Sequence, residues 1–119
     1  MTSLDNNDPV RVYLREVRKV PPLEEGEEAD LLQHIRNQDD QAELATKRLI
    51  EVNLYLVVPI AERHSSQGLS MLELIQEGNL GLMHAIKFFS GNNKTFVSYA
   101  ASCIEDAVTK AIAESRSAS

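Results

Sequence analysis

Tryptophan is absent from this chain of 119 residues, and aromatic residues make up only 5% of it. That leaves little capacity for stacking bases or caging a cation. Cysteine occurs once, at Cys103, so no internal disulfide can form and the sequence fits a reducing compartment. Long apolar runs are missing as well. The longest, residues 54–61, is interrupted by Tyr55 and Pro59 and is too short for a bilayer span. No basic segment followed by an apolar run stands at the start, so no secretory signal is read and the expected location is cytoplasmic. Positive charge is in deficit: 12 Lys and Arg against 18 Asp and Glu give a net charge of −6. That balance argues against holding nucleic acid by bulk electrostatics, while leaving room for one basic face on an acidic body.

Catalytic and metal motifs are also lacking. The histidines at 34, 64 and 84 form no Glu-x-x-His pair, and Cys103 has no Cys or His near it in sequence. Asp30 and His34 are one turn apart, yet two ligands make no site. No glycine-rich phosphate loop or nucleophile motif appears. The expectation is a non-enzyme without metal or cofactor.

What the chain does have is helical periodicity. Its composition, 43% hydrophobic and 25% charged, is that of a globular protein able to bury a core without staples. Residues 1–7 are polar and expected to be flexible. Asp8-Pro9 then offers an N-cap and a proline at the first helical position. Val10, Tyr13, Leu14 and Val17 follow at helical spacing, with Arg11, Arg15 and Arg18 opposite, and Pro21-Pro22 closes the helix. A second helix is predicted from near Glu24, where acidic residues suit the dipole, with Leu31, Leu32 and Ile35 inward and a turn over 37–40. The third runs from about Gln41 to His64 on Ala42, Ala45, Leu49, Val52, Leu56 and Ile60, kinked at Pro59. After a loop, Ser70 and Glu73 have capping-box spacing and open a helix to about Phe89. A turn over 90–93 precedes a last helix from Thr95 to Ala113, leaving 114–119 as a flexible tail. The predicted architecture is all-α: one compact domain, residues 8–113, of about five helices.

The fourth helix is the most informative. Glu73, Gln76 and Glu77 fall at i, i+3 and i+4 and point the same way, while Leu72, Ile75, Leu82 and Ile86 are assigned to the core side. Gly78 and Gly81 each cost roughly 1 kcal/mol relative to Ala inside a helix, so a close backbone approach is expected there. Spacing alone favours the plain alternative, a solvated face with two tolerated glycines.

Three collinear stretches then resemble bacterial RNA polymerase sigma factors of the sigma-70 family, in the helical domain that grips polymerase and opens the promoter. Asp8-Pro9-Val10-Arg11-Val12-Tyr13-Leu14-Arg15-Glu16-Val17 looks like the family's Asp-Pro-Val-Arg-x-Tyr-Leu-Arg-Glu-Ile. Residues 47–58 resemble Arg-Arg-Leu-Ile-Glu-Ala-Asn-Leu-Arg-Leu-Val-Val, and residues 72–83 resemble Leu-Asp-Leu-Ile-Gln-Glu-Gly-Asn-Ile-Gly-Leu-Met. The resemblance implies that Leu72, Glu73, Gln76, Glu77, Asn79 and Met83 dock on a coiled coil of the polymerase's largest subunit. It also implies a remnant DNA-facing set, Arg11, Arg15, Phe96, Tyr99, Thr109 and Lys110.

The last helix keeps the family's buried frame at Phe96, Tyr99, Ala100, Ile104, Ala107, Ala111 and Ile112 but departs from the family pattern on its working surface. Ser102 and Cys103 stand where the family has a tryptophan pair, and Glu105 and Asp106 where it has an arginine and a glutamine facing DNA. The expected function is therefore a sigma-like initiation protein that binds core polymerase with weakened promoter melting. A decoy that occupies the polymerase clamp without opening DNA, and a degenerate structural module, are the alternatives.

Overall fold

The computed structural model describes residues 9–91 and 94–118, and among them there are six α-helices and no strand. The Asp8 cap, the stretch 1–7 and half of the turn at 90–93 lie outside the described residues. Helix α1 (Pro9–Arg18) ends in two tighter turns, Lys19 N–H to Glu16 C=O and Val20 N–H to Val17 C=O, just ahead of the proline pair. Tyr13 and Leu14 pack against the core, as their spacing implies.

Helix α2 (Glu27–Asn37) starts three residues later than its acidic run suggests. Gly26, at φ 84°, turns the chain into the helix, and the Glu27 carboxylate accepts the Glu24 N–H at 3.0 Å. Glu24 and Glu25 therefore form the approach. Gln38 at φ 51° ends α2, and His34 Nδ1 contacts Asp39 at 2.7 Å across the turn. Arg48 Nε donates to Glu27 at 3.1 Å and fastens α2 to the next helix.

The expected third helix is two. Helix α3 (Ala42–Asn53) gives way to a 3₁₀ turn at Leu54–Leu56, followed by α4 (Val57–Arg63). The break lies one turn before Pro59. A proline lacks the N–H that would bond the carbonyl four residues back and its ring crowds that carbonyl, which here belongs to Tyr55. Pro59 itself sits in the first turn of α4, where a missing N–H costs little.

Helix α5 (Met71–Phe88) begins with the full capping box: Ser70 Oγ accepts Glu73 N–H at 3.1 Å and Glu73 Oε1 accepts Ser70 N–H at 2.9 Å. Helix α6 (Phe96–Ala118) continues past Ala113 to Ala118, so residues 114–118 are helical where a tail is expected. Ala113, Glu114, Arg116 and Ala118 favour helix, and no Gly or Pro interrupts them.

Helices α5 and α6 form the centre of the core. Leu74, Ile75 and Leu82 interlock with Ile104 and Val108, with Leu49, Val57 and Phe96 closing the sides. The two glycines permit the contact. A Cβ on Gly81 would lie 2.5 Å from the Cys103 carbonyl oxygen and 2.8 Å from Ile104 Cα. The close backbone approach is thus the chain's own α6. Neither glycine is spare room for a partner.

Candidate partner-binding face

Helical geometry divides α5 into an inner arc and an outer arc. The inner arc holds Leu74, Ile75, Gly78, Gly81, Leu82, Ala85 and Ile86, all buried. Gln76 and Leu80 run along the middle of the outer arc, and both are exposed. Leu72 is 41% exposed and belongs to this outer arc; its assignment to the core is corrected. It stands two positions into the helix on the same side as Gln76, and only Ile75, Leu82 and Ile86 of that set turn inward.

Glu73, Gln76 and Met83 are exposed, while Glu77 and Asn79 are half-buried at opposite margins of the arc. Six expected docking residues therefore share one face, with the two marginal ones partly covered. Glu73 is committed at one oxygen to the Ser70 N–H, and these Ser70 hydrogen bonds hold its carboxyl below the usual range. Asn79 is tied back to the first helix, because the Tyr13 hydroxyl donates to Asn79 Oδ1 at 3.4 Å. Burial raises the Tyr13 hydroxyl pKa and the Asn79 bond opposes that rise.

The DNA-facing set does not come together as expected. Phe96 is 1% exposed, so its place among the DNA contacts is corrected. It fills the core end of α6 and meets Phe89 edge-on at 5.5 Å. Tyr99 is half-buried against Phe89. Thr109 is exposed, but its hydroxyl donates back to the Glu105 and Asp106 carbonyls. Lys110 is exposed beside Asp106 in a groove of about 340 Å³ between α5 and α6. Arg11 and Arg15 are exposed on α1.

Glu105 departs furthest from its expected place. Its carboxylate receives Arg63 Nη2 at 3.1 Å and contacts His64 Nε2, so it clasps the end of α4 to α6. Helical periodicity assigns Glu105 a side of α6 and says nothing of which neighbour lies there. Arg63 and His64 carry no local signal for a partner more than forty residues on. Leu80, in contrast, was legible: 73, 76, 80 and 83 follow helical spacing.

Cys103, half-buried, lines the same α5–α6 groove, and burial pushes its thiol pKa up. That shift favours the thiol over the nucleophilic thiolate. Among the described residues no group of three or more His, Cys, Asp or Glu could hold a metal, and no helix is long and apolar enough to cross a membrane.

Comparison with known proteins is decisive for the family. Residues 49–117 match the model of Sigma-70 region 2, and residues 8–41 match that of Sigma-70 factor, region 1.2. The chain belongs to the sigma-70 family. Among its relatives, RNA polymerase sigma factor SigA of Clostridium acetobutylicum is 50% identical over 109 residues, which is 91% of this chain and 28% of the relative. SigA of a Bacillus species is 46% identical over the same shares, and that of Lactococcus lactis subsp. cremoris is 44% identical over 96% of this chain and 32% of the relative. This sigma-70 chain thus spans about a third of the curated relatives it matches. Region 1.2 covers α1 and α2, and region 2 takes in nearly everything after α3 begins.

Proposed function

We propose that this chain acts in transcription initiation by binding core RNA polymerase through the outer face of α5, with promoter opening weakened. The observation that carries the reading is the outer arc itself. Leu72, Glu73, Gln76 and Met83 stand exposed in one row on a helix anchored by its inner face and its capping box. A rigid row of one carboxylate, one amide and apolar neighbours suits a facing helix that carries arginines, such as the coiled coil of the polymerase's largest subunit. Glu73 Oε1 is engaged by Ser70 and Oε2 is the oxygen left to meet a guanidinium.

Weak melting follows from α6. Its only aromatics are Phe96, which is buried, and Tyr99, which is half-buried. A base stacked on an aromatic side chain is worth about 1–3 kcal/mol, and opening one base step costs on the order of 1.4 kcal/mol in stacking. Two absent stacking rings remove a stabilisation comparable with the cost of the first steps. Asp106 adds an exposed carboxylate, and Glu105 exchanges a phosphate-seeking cation for an internal clasp.

The same observation favours a second reading, a decoy that occupies polymerase without opening DNA. One assay addresses both. Core polymerase, this chain and a promoter carrying a fluorescent base analogue in its opening segment are mixed, then challenged with a complete sigma factor. Weak, chain-dependent fluorescence supports residual melting. Displacement of the complete factor without fluorescence supports the decoy. The absence of both fluorescence and displacement would contradict polymerase binding.

A further inference from the structure

The outer face of α5 changes character along its length. Glu73 and Glu77 mark its first half, whereas Leu80, Met83, His84, Lys87 and Phe88 occupy the second. Leu80 is 57% exposed, Met83 48% and Phe88 55%. They border a groove of about 460 Å³ that reaches Ile35 of α2 and Thr46 of α3. A smaller groove of about 170 Å³ adjoins it, sharing Ile35, Ile86 and Lys87 and adding Arg36.

The lining is mostly aliphatic. Thr46 presents its methyl group, since its hydroxyl donates to the Ala42 carbonyl at 2.9 Å. The rim is cationic. Arg36 and Lys87 are exposed and neither is in an ion pair among the described residues. Asp39, the carboxylate closest to Arg36 in sequence, is held by His34 at 2.7 Å. Lys87 Nζ lies 5.5 Å from the Phe88 ring centroid, and His84 packs on that ring at 4.6 Å.

We propose that this groove docks an acidic amphipathic helix of a protein partner. Its apolar residues enter between Ile35, Met83 and Phe88, and its carboxylates meet Arg36 and Lys87. Charge complementarity selects the occupant: on a chain of net charge −6, Lys87 at the rim of the apolar larger groove and Arg36 in the more polar smaller one are two cations without an ion pair among the described residues. A nucleic-acid strand fits less well. Two cations neutralise few phosphates, the net charge repels the remainder, and the rings present, Phe88, His84 and Phe89, are few beside the aliphatic side chains. The groove adjoins the proposed polymerase face on the same outer arc of α5 and shares Leu80 and Met83 with it.

The test uses the whole chain labelled with nitrogen-15 and followed by NMR. The probe is a model helix of about 16 residues, with Leu and Phe at i, i+3, i+4 and i+7, Glu at the flanking positions and Ala elsewhere to hold helical structure. Its scrambled version, a Lys-for-Glu version and a twelve-base oligothymidylate are the comparisons. The acidic helix is expected to shift the amides of Ile35, Thr46, Met83 and Phe88 and to bind more tightly than the other three. Arg36→Glu with Lys87→Glu, both at exposed positions, is expected to weaken it by roughly tenfold and reverse the preference toward the Lys version. Phe88→Ala is expected to weaken the acidic and Lys versions alike. Shifts mapping elsewhere, equal binding of the scramble, no binding by any peptide, or preferential binding of the oligothymidylate at these residues would overturn the proposal.

Discussion

Glu105 shows how one side chain can serve packing at a position where the family's pattern has a DNA-facing arginine. It spans two helices, receiving Arg63 and His64 from α4. Glu105→Gln keeps the shape and loses the charge on one side of both contacts. It is expected to lower stability by about 1 kcal/mol, in the range for partly exposed pairs and charge-assisted hydrogen bonds, measured by urea unfolding. An unchanged midpoint would mean that the clasp is not formed in solution. Glu105→Arg is the harsher change, since it places a second cation against Arg63 and removes the carboxylate that faces His64. Glu73 offers a pH test. Its carboxyl is held below its ordinary range, first by the Ser70 N–H. A depressed folded-state pKa gives stability that is present above the unfolded value and is lost as pH falls through the folded one. Glu73→Gln keeps a capping side chain that does not titrate. The difference in melting temperature between the native chain and this variant is expected at neutral pH and should shrink as the solution is acidified through the carboxylate range.

At the scale of elements, the interface of α5 and α6 sets the framework on which both exposed faces depend. Gly81 meets backbone of α6, whereas a Cβ at Gly78 would first meet the Val57 side chain at 2.7 Å. Backbone cannot step aside as a side chain can. Gly81→Ala is therefore expected to cost about 1–3 kcal/mol from overpacking, despite the roughly 1 kcal/mol that Ala gains over Gly in helix propensity. Gly78→Ala is expected to cost less, and equal costs in chemical denaturation would refute this account of the glycines. These elements were legible in the sequence wherever their signals were local. The Ser70 and Glu73 cap and the periodic rows of α1, α5 and α6 each lie within a few turns of the chain. The 3₁₀ break at Leu54–Leu56 was displaced from Pro59 because a proline disturbs the carbonyl four residues behind it. Phe96 was misplaced for a different reason. Aromatic residues suit both a DNA surface and a core, and only its packing on Phe89 separates the two. The Tyr13–Asn79 bond and the Glu105 clasp join residues far apart in sequence, so no periodicity could reveal them.

Across the whole molecule, the outer arc of α5 presents an exposed, supported row of side chains, whereas the rings of α6 are buried at Phe96 and half-buried at Tyr99. Ser102→Trp combined with Cys103→Trp tests whether the scaffold still supports the missing chemistry. With polymerase present, binding to a pre-opened promoter bubble is expected to rise by roughly tenfold, the equivalent of about 1.4 kcal/mol and within what one stacked base supplies. No gain would show that restoring rings is insufficient beside Asp106.

The central claim is that the exposed row on α5 is what polymerase holds, and titration of the labelled 119-residue chain with core polymerase tests it directly. Gln76→Ala with Leu72→Ala changes only exposed side chains, and Glu62→Ala, exposed on α4, serves as the control. The account predicts measurable binding by the native chain and the control, with the double variant weakened at least about tenfold. Equal affinity for all three chains, or no affinity for any, would contradict it.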